Sequence, residues 1–142
     1  MASQLASVEG LLGLPRGPAE SRLALARKIL DGLPVSAVNR LASVVAPDDN
    51  AFKYRLIPRA TLDRRNKTSR LTSEEGDRLA RLAKVMSFAL EIYRDPVKAR
   101  EFMSRGHAML DGQSPLDVAL ATGPGADAVI NVLGRAAYGG AA

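Results

Sequence analysis

Lys53, Arg55, Arg59, Arg64, Arg65, Lys67 and Arg70 crowd into the stretch from residue 53 to residue 70, and Asp63 is its only acid. Seven bases against one acid give this segment a net +6, whereas the whole chain of 142 residues carries +5, so the remainder is close to neutral. Such a concentration of cations suits a polyanion. Arg offers a planar fork of donors that fits guanine O6/N7 and phosphate, and Lys contributes a point charge. A solvated basic surface, or one that docks on an acidic protein, would give the same charge and the same pI near 10.0.

Other residues of catalytic type are sparse. His107 is the only histidine, beside Gly106 near a helix end, and nothing close in sequence marks an orienting partner or a cleft. Glu74 and Glu75 form an acidic pair, but a capping role accounts for Glu75. Gly123-Pro124-Gly125 lacks the lysine and the further glycines of a phosphate loop, and no strand precedes it. Met86, Met103 and Met109 sit at core-like positions. The absence of Cys rules out thiolate chemistry, disulfides and cysteine-based zinc sites. These features point away from an enzyme and call for no cofactor or metal. No apolar run approaches the about 18 residues of a membrane span, and the N-terminus lacks a basic region before its apolar part, so a cytoplasmic protein is expected.

The elements that must position the basic cluster are helical. Ala and Leu dominate and favour helix, and no stretch alternates with period two for long. Residues 1–18 are punctuated by Gly and Pro and are expected to be a flexible, frayed N-terminus. From Ala19, Leu23, Ala26, Leu30 and Leu33 recur three or four apart. A second helix fits 35–45, with Val35, Val38, Leu41, Ala42 and Val45 on one face. A short helix from Asp49 to about Arg55, with Asp48 as cap, precedes a break at Leu56-Ile57-Pro58 and another short helix through Arg65. Residues 66–70 then read as loop.

Thr72 and Glu75 have capping-box spacing and open a long helix on which Leu79, Leu82, Ala83, Met86, Leu90 and Tyr93 share a face, with Gly76 a blemish. Asp95-Pro96 and Ser114-Pro115 each place a capping side chain before a proline at the first helical position. Those two helices are expected to reach about His107 and Thr122. After a break at residues 123–125, a last helix covers 126–137 with Val129, Val132, Leu133 and Ala136 inward.

Residues 49–65, short helix, tight turn, short helix, have the spacing of a helix-turn-helix, whose second helix enters the major groove. That helix would present Arg59, Thr61, Arg64 and Arg65, with Ala60 small enough for close approach. Ile57 and Leu62 would turn inward to join Phe52 and Leu56. Lys53, Arg55, Lys67 and Arg70 would flank it and meet phosphates. Tyr54 is the only aromatic in the basic run that could stack on a base, which disfavours single-stranded DNA or RNA as the target.

The segments "GLPVSAVNRLASVV", "IPRATLDRR", "SRLTSEEGDRLARLAKVMSFALEIYRDPVKAREFM" and "LDGQSPLDVALATGPGADAVINVLGRAAYGG", in this order, resemble the Xre/MbcA/ParS-type antitoxins over roughly residues 20–140. The resemblance implies an all-α chain: an Xre-like helix-turn-helix portion over residues 19–71 and a small helical toxin-binding domain over residues 72–142. It implies a cognate RES-domain toxin, an enzyme that consumes NAD or ADP-ribosylates a protein, blocked by the antitoxin's C-terminal helix and tail. It places Asn131, Arg135, Tyr138, Gly139 and Gly140 nearest the toxin's substrate cleft, and matches Arg59, Thr61, Arg64 and Arg65 to the DNA-reading helix. The complex would bind its own operator as double-stranded DNA and repress its operon. A homodimer is expected, since helix-turn-helix proteins usually read two half-sites, together with a hetero-oligomer with the toxin. The gly- and ala-rich helix end is also explained by tight packing on its own domain, and a DNA-binding regulator with no toxin partner is the alternative function.

Overall fold

The computed structural model describes residues 7–15 and 22–138. Nine α-helices and one 3-10 turn are found among them: α1 (Val8–Leu11), α2 (Arg22–Asp31), α3 (Ser36–Val45), α4 (Lys53–Leu56), α5 (Arg59–Thr68), α6 (Ser73–Tyr93), α7 (Pro96–Ser104), the 3-10 turn Ala108–Leu110, α8 (Pro115–Ala121) and α9 (Gly123–Tyr138). The described residues contain no strand, only an isolated antiparallel bridge between Pro34 and Arg70. The all-α expectation holds. They fall into two compact units, residues 7–80 and residues 81–138.

In the first unit the N-terminal segment is more ordered than its Gly and Pro content suggested. Ser7 accepts a hydrogen bond from the Gly10 amide at 3.0 Å and so caps α1. Leu11, Leu12 and Leu14 are buried, and α1 packs on α3. The burial of these leucines offsets the entropic cost of ordering so short a helix. Residues 1–6 and 16–18 lie outside the described residues.

Of the three-to-four repeat Leu23, Ala26, Leu30 and Leu33, only Leu33, beyond the end of α2, is buried. Leu23 and Leu30 are 60% and 75% exposed, Ala26 is exposed as well, and no residue of the helix is fully buried. The helix packs through Ile29 instead, whose Cγ2 lies 3.5 Å from the Cβ position of Gly76. One residue along a helix is a rotation of about 100°, so periodicity found the right spacing and the wrong face. Gly76 is explained by the same contact. A Cβ there would come within 3.3 Å of Leu33 Cγ, so the glycine lets α6 approach closely, against a helix cost of ~1 kcal/mol relative to Ala.

The helix α3 matches its expectation, with Val38, Leu41, Ala42 and Val45 buried. Around α4 and α5 boundaries shift at two places. The Asp49 carboxylate, not Asp48, accepts from the Ala51 amide at 2.9 Å, and regular helix begins only at Lys53. Residues 66–68, expected as loop, extend α5 to Thr68. The chain then turns at Ser69 in the left-handed region (φ 65).

In the second unit both proline-led caps form. Asp95 accepts from the Val97 amide at 3.0 Å and Ser114 from the Asp117 amide at 3.1 Å. Their helices end at Ser104 and Ala121, short of the expected limits. The last helix starts earlier than expected, at Gly123, because the Thr122 hydroxyl accepts from the Gly125 amide at 2.9 Å and the Gly-Pro-Gly run supplies the first turn. A Cβ on Gly125 would collide with the Val118 carbonyl, so α8 and α9 meet there backbone to backbone. Val129 and Leu133 are fully buried, whereas Ala136 is exposed. Met86 and Met103 are core residues; Met109, on the 3-10 turn, is 49% exposed.

Candidate functional site

The basic cluster is displayed by a short, well-anchored frame. Phe52, Leu56, Ile57 and Leu62 are all buried, as expected, and fix α4 and α5 to the unit. The turn is set by Ile57 in an extended conformation and by Pro58, whose carbonyl accepts from the Leu62 amide at 2.8 Å. Arg78 reaches back from α6 and donates to the Arg55 carbonyl at 3.2 Å, covering the end of α4. At the far end of α5, Val35 donates to the Ser69 carbonyl and Leu71 to the Leu33 carbonyl, at 3.3 and 2.9 Å.

The candidate DNA-contacting residues divide into two groups on this frame. Arg59, Arg64 and Lys67 are exposed on α5, with Thr61 half-buried and Ala60 open beside them. Lys53 is half-buried and Arg55 exposed on α4, with the Arg55 guanidinium 5.6 Å from the Phe52 ring centroid. Arg65 and Arg70 are engaged by the protein itself. Arg70 Nη1 donates to the Gly32 carbonyl at 2.8 Å and secures the turn after α2. Arg65 Nε donates to Glu75 Oε1 at 2.8 Å, and that same oxygen accepts from the Thr72 amide at 2.8 Å. Thr72 Oγ1 in return accepts from the Glu75 amide at 3.2 Å, completing the capping box.

Burial pushes the Glu75 carboxyl up, but the hydrogen bonds it accepts from Arg65 and Thr72, with the adjacent positive charge, outweigh this. Its pKa is held below the ordinary 4.5. The hydrogen bond to Glu75 likewise raises the Arg65 guanidinium above its ordinary value, against partial desolvation. Sequence spacing identified the cap but missed its third member, because Arg65 and Glu75 meet only across the left-handed turn at Ser69. Spacing also missed the contact between Tyr54 and Arg59. The Arg59 guanidinium carbon lies 4.0 Å from the Tyr54 ring centroid, and Arg59 Nη1 donates to Tyr54 Oη at 3.1 Å.

In the second unit, Asn131 and Arg135 are exposed on one face of α9, four residues apart, and Ala136 and Ala137 are exposed beyond them. Gly134 is half-buried, yet a Cβ there would meet nothing within 4 Å. Tyr138 is the last residue of α9, while Gly139 and Gly140 lie outside the described residues. Arg81 holds the adjacent α8, donating to the Ala119 and Leu120 carbonyls at 3.3 and 3.1 Å. His107 is half-buried with its ring 4.7 Å from that of Phe102, and its Nε2 lies 3.3 Å from the Phe102 carbonyl oxygen. Those contacts account for it as a packed residue. Among the described residues no three His, Cys, Asp or Glu side chains gather as metal ligands would, and no helix is long and apolar enough to cross a membrane.

Two family models match the chain. The antitoxin Xre-like helix-turn-helix domain covers residues 24–84, and the antitoxin Xre/MbcA/ParS C-terminal toxin-binding domain covers residues 88–139. Neither is an enzyme family. No curated protein matches the chain. The matches cover both compact units in order, the first including the basic α5 and its anchoring α6, the second the α8–α9 pair. The chain therefore belongs to the Xre/MbcA/ParS-type antitoxins, with a helix-turn-helix domain followed by a toxin-binding domain.

Proposed function

We propose that this antitoxin neutralises a cognate RES-domain toxin, an enzyme that consumes NAD or ADP-ribosylates a protein, by covering its active site with α9 and the tail behind it. The supporting observation is the exposed face of α9 at Asn131 and Arg135. Asn131 and Arg135 project from one face, and Gly134 is bare although its own chain leaves room for a side chain. A glycine that costs helix stability without relieving an internal clash suits close approach by a partner. Arg135 can pair with an acidic group in the toxin's cleft, while Tyr138, Gly139 and Gly140 follow it in.

Through α5 the same protein binds its operator and represses its own operon in the cytoplasm. Arg59, Thr61 and Arg64 read or approach the groove. Lys53, Arg55 and Lys67 meet phosphates. Arg65 and Arg70 serve this interface chiefly by orienting it, since each already has an acceptor within the protein. The chain acts as a homodimer, because two half-sites require two reading helices. Leu23 and Leu30, exposed on the same unit as α5, supply the apolar contact to the second copy. Leu30→Lys should then give a monomeric mass by light scattering where the wild type gives a dimer. A wild-type monomer, free and toxin-bound, would remove the dimer from the proposal.

The decisive experiment expresses the neighbouring reading frame alone and together with this protein, and follows growth and cellular NAD. Arrest with NAD loss that the antitoxin reverses supports neutralisation of an NAD-consuming toxin. Arrest without NAD loss, also reversed, selects protein ADP-ribosylation. Toxicity that this protein fails to relieve would sink the assignment of that toxin.

A further inference from the structure

Tyr54 lies in the first short helix, α4, five residues before Arg59 opens the second, and the intervening turn folds the two side chains together. The Arg59 guanidinium lies over the Tyr54 ring at 4.0 Å, close cation–π range, and Nη1 also donates to Tyr54 Oη at 3.1 Å. The Lys53 ammonium sits 5.3 Å from the centroid of the same ring. Arg59 is nonetheless exposed, at the N-terminal residue of α5, where a helix-turn-helix brings side chains to base edges. A ring can hold a guanidinium by its face without consuming the in-plane N–H donors that grip a base. With Nη1 sharing one donor with Tyr54, the remaining edge is still able to bridge O6 and N7 of a guanine.

We propose that Tyr54 is a positioning residue for DNA specificity: it sets Arg59 in the rotamer that reads a guanine in the major groove. This rests on the DNA-binding reading given above. A long, freely rotating arginine would satisfy a phosphate as readily as a base. One held beforehand in a fixed plane loses less freedom on docking and favours the bidentate acceptor pair. Tyr54 therefore contributes discrimination between sequences without adding charge.

The test uses the full-length protein and a duplex selected by the wild type from a randomised pool, beside a scrambled duplex of the same composition. For the wild type, 7-deazaguanine at one position of the selected duplex should weaken binding about tenfold, the loss of a good base contact. Tyr54→Leu should weaken binding to the selected duplex by about the same factor. It should leave the scrambled duplex and the salt slope unchanged and make the protein indifferent to the 7-deaza substitution. Tyr54→Phe, which keeps the ring, should recover most of the loss. Arg59→Ala should reproduce the Tyr54→Leu loss, and the double variant should add little to it.

Tyr54→Gln provides a second ringless variant, so that the comparison can be made on whichever retains wild-type helicity and melting. Equal losses on both duplexes, no loss on either, or additive losses in the double variant would overturn the role of Tyr54 while leaving DNA binding intact. A wild-type protein that selects no sequence from the pool would overturn the DNA-binding reading, and the positioning role with it.

Discussion

The two surfaces proposed to meet partners in this antitoxin are built on opposite plans. On α5 the exposed side chains are long and cationic, and the helix behind them is held by buried Ile57 and Leu62 and by the Arg65–Glu75 pair. Near the end of α9, among the described side chains, Asn131 and Arg135 are the exposed large polar groups, and half-buried Gly134 with exposed Ala136 and Ala137 are small. A charged surface seeks a partner from a distance and tolerates water between. A bare helix end gains only where a cleft closes around it and van der Waals contact is made along the backbone. The first plan is sensitive to salt and to single charges; the second is sensitive to shape.

Removing one surface should leave the other working, and the largest effect tests this. Deletion of residues 135–142 should abolish toxin neutralisation while operator binding, measured by gel shift, stays within about twofold. A truncated protein that still rescues growth would eliminate the α9 mechanism. Next in size, Arg64→Ala should weaken operator binding at least about tenfold and lower the salt slope by about one phosphate contact, with neutralisation retained. Arg65→Ala should behave differently from its neighbour and lower the melting temperature first. Identical DNA losses for the two variants, without a change in melting, would show that the Glu75 pair does not govern Arg65.

A smaller effect probes shape. Gly134→Ala should stabilise α9 by up to about 1 kcal/mol and raise the melting temperature by a few degrees. If the toxin approaches that face closely, the added methyl should slow association or speed release in surface binding measurements. Full neutralisation with unchanged kinetics would free this position from the interface.

The smallest effect is acid-linked. Because the folded Glu75 carboxyl titrates below its ordinary 4.5, its contribution to stability is fully present above that value and is lost as pH falls through the lowered folded value. Glu75→Gln should melt lower than wild type at pH 7 and converge with it in strong acid. Parallel melting curves across that range would remove Glu75 from the acid response.

Helix positions were largely legible from sequence, because capping chemistry is local. Thr72, Asp95 and Ser114 each bind an amide within a few residues, and each fulfils its expected role. Facing was less legible. A three-to-four repeat on α2 marks a stripe, but which stripe meets the rest of the unit depends on Gly76 and Leu33, distant in sequence. The basic surface was visible as composition, yet its division was hidden. Arg65 and Arg70 look like Arg64 in a sequence and are set apart only by acceptors that the fold brings to them, Glu75 and the Gly32 carbonyl. In sequence Tyr54 reads as a possible base-stacking ring; the turn at Ile57-Pro58 gives it an arginine instead.

The shared oxygen of Glu75 has a practical consequence for retargeting. One carboxylate atom ties Arg65, in the last turn of α5, to the Thr72 amide just ahead of the next helix. The C-terminal turn of α5 is therefore tied to α6 by side chains that do not need to face a nucleic acid. Arg59, Thr61, Arg64 and Lys67 can be exchanged as a removable lettering on a fixed plate. Under the proposed DNA-binding role, a library randomised at those four positions, with Arg65, Thr72 and Glu75 left alone, is the set from which to select new operator preferences.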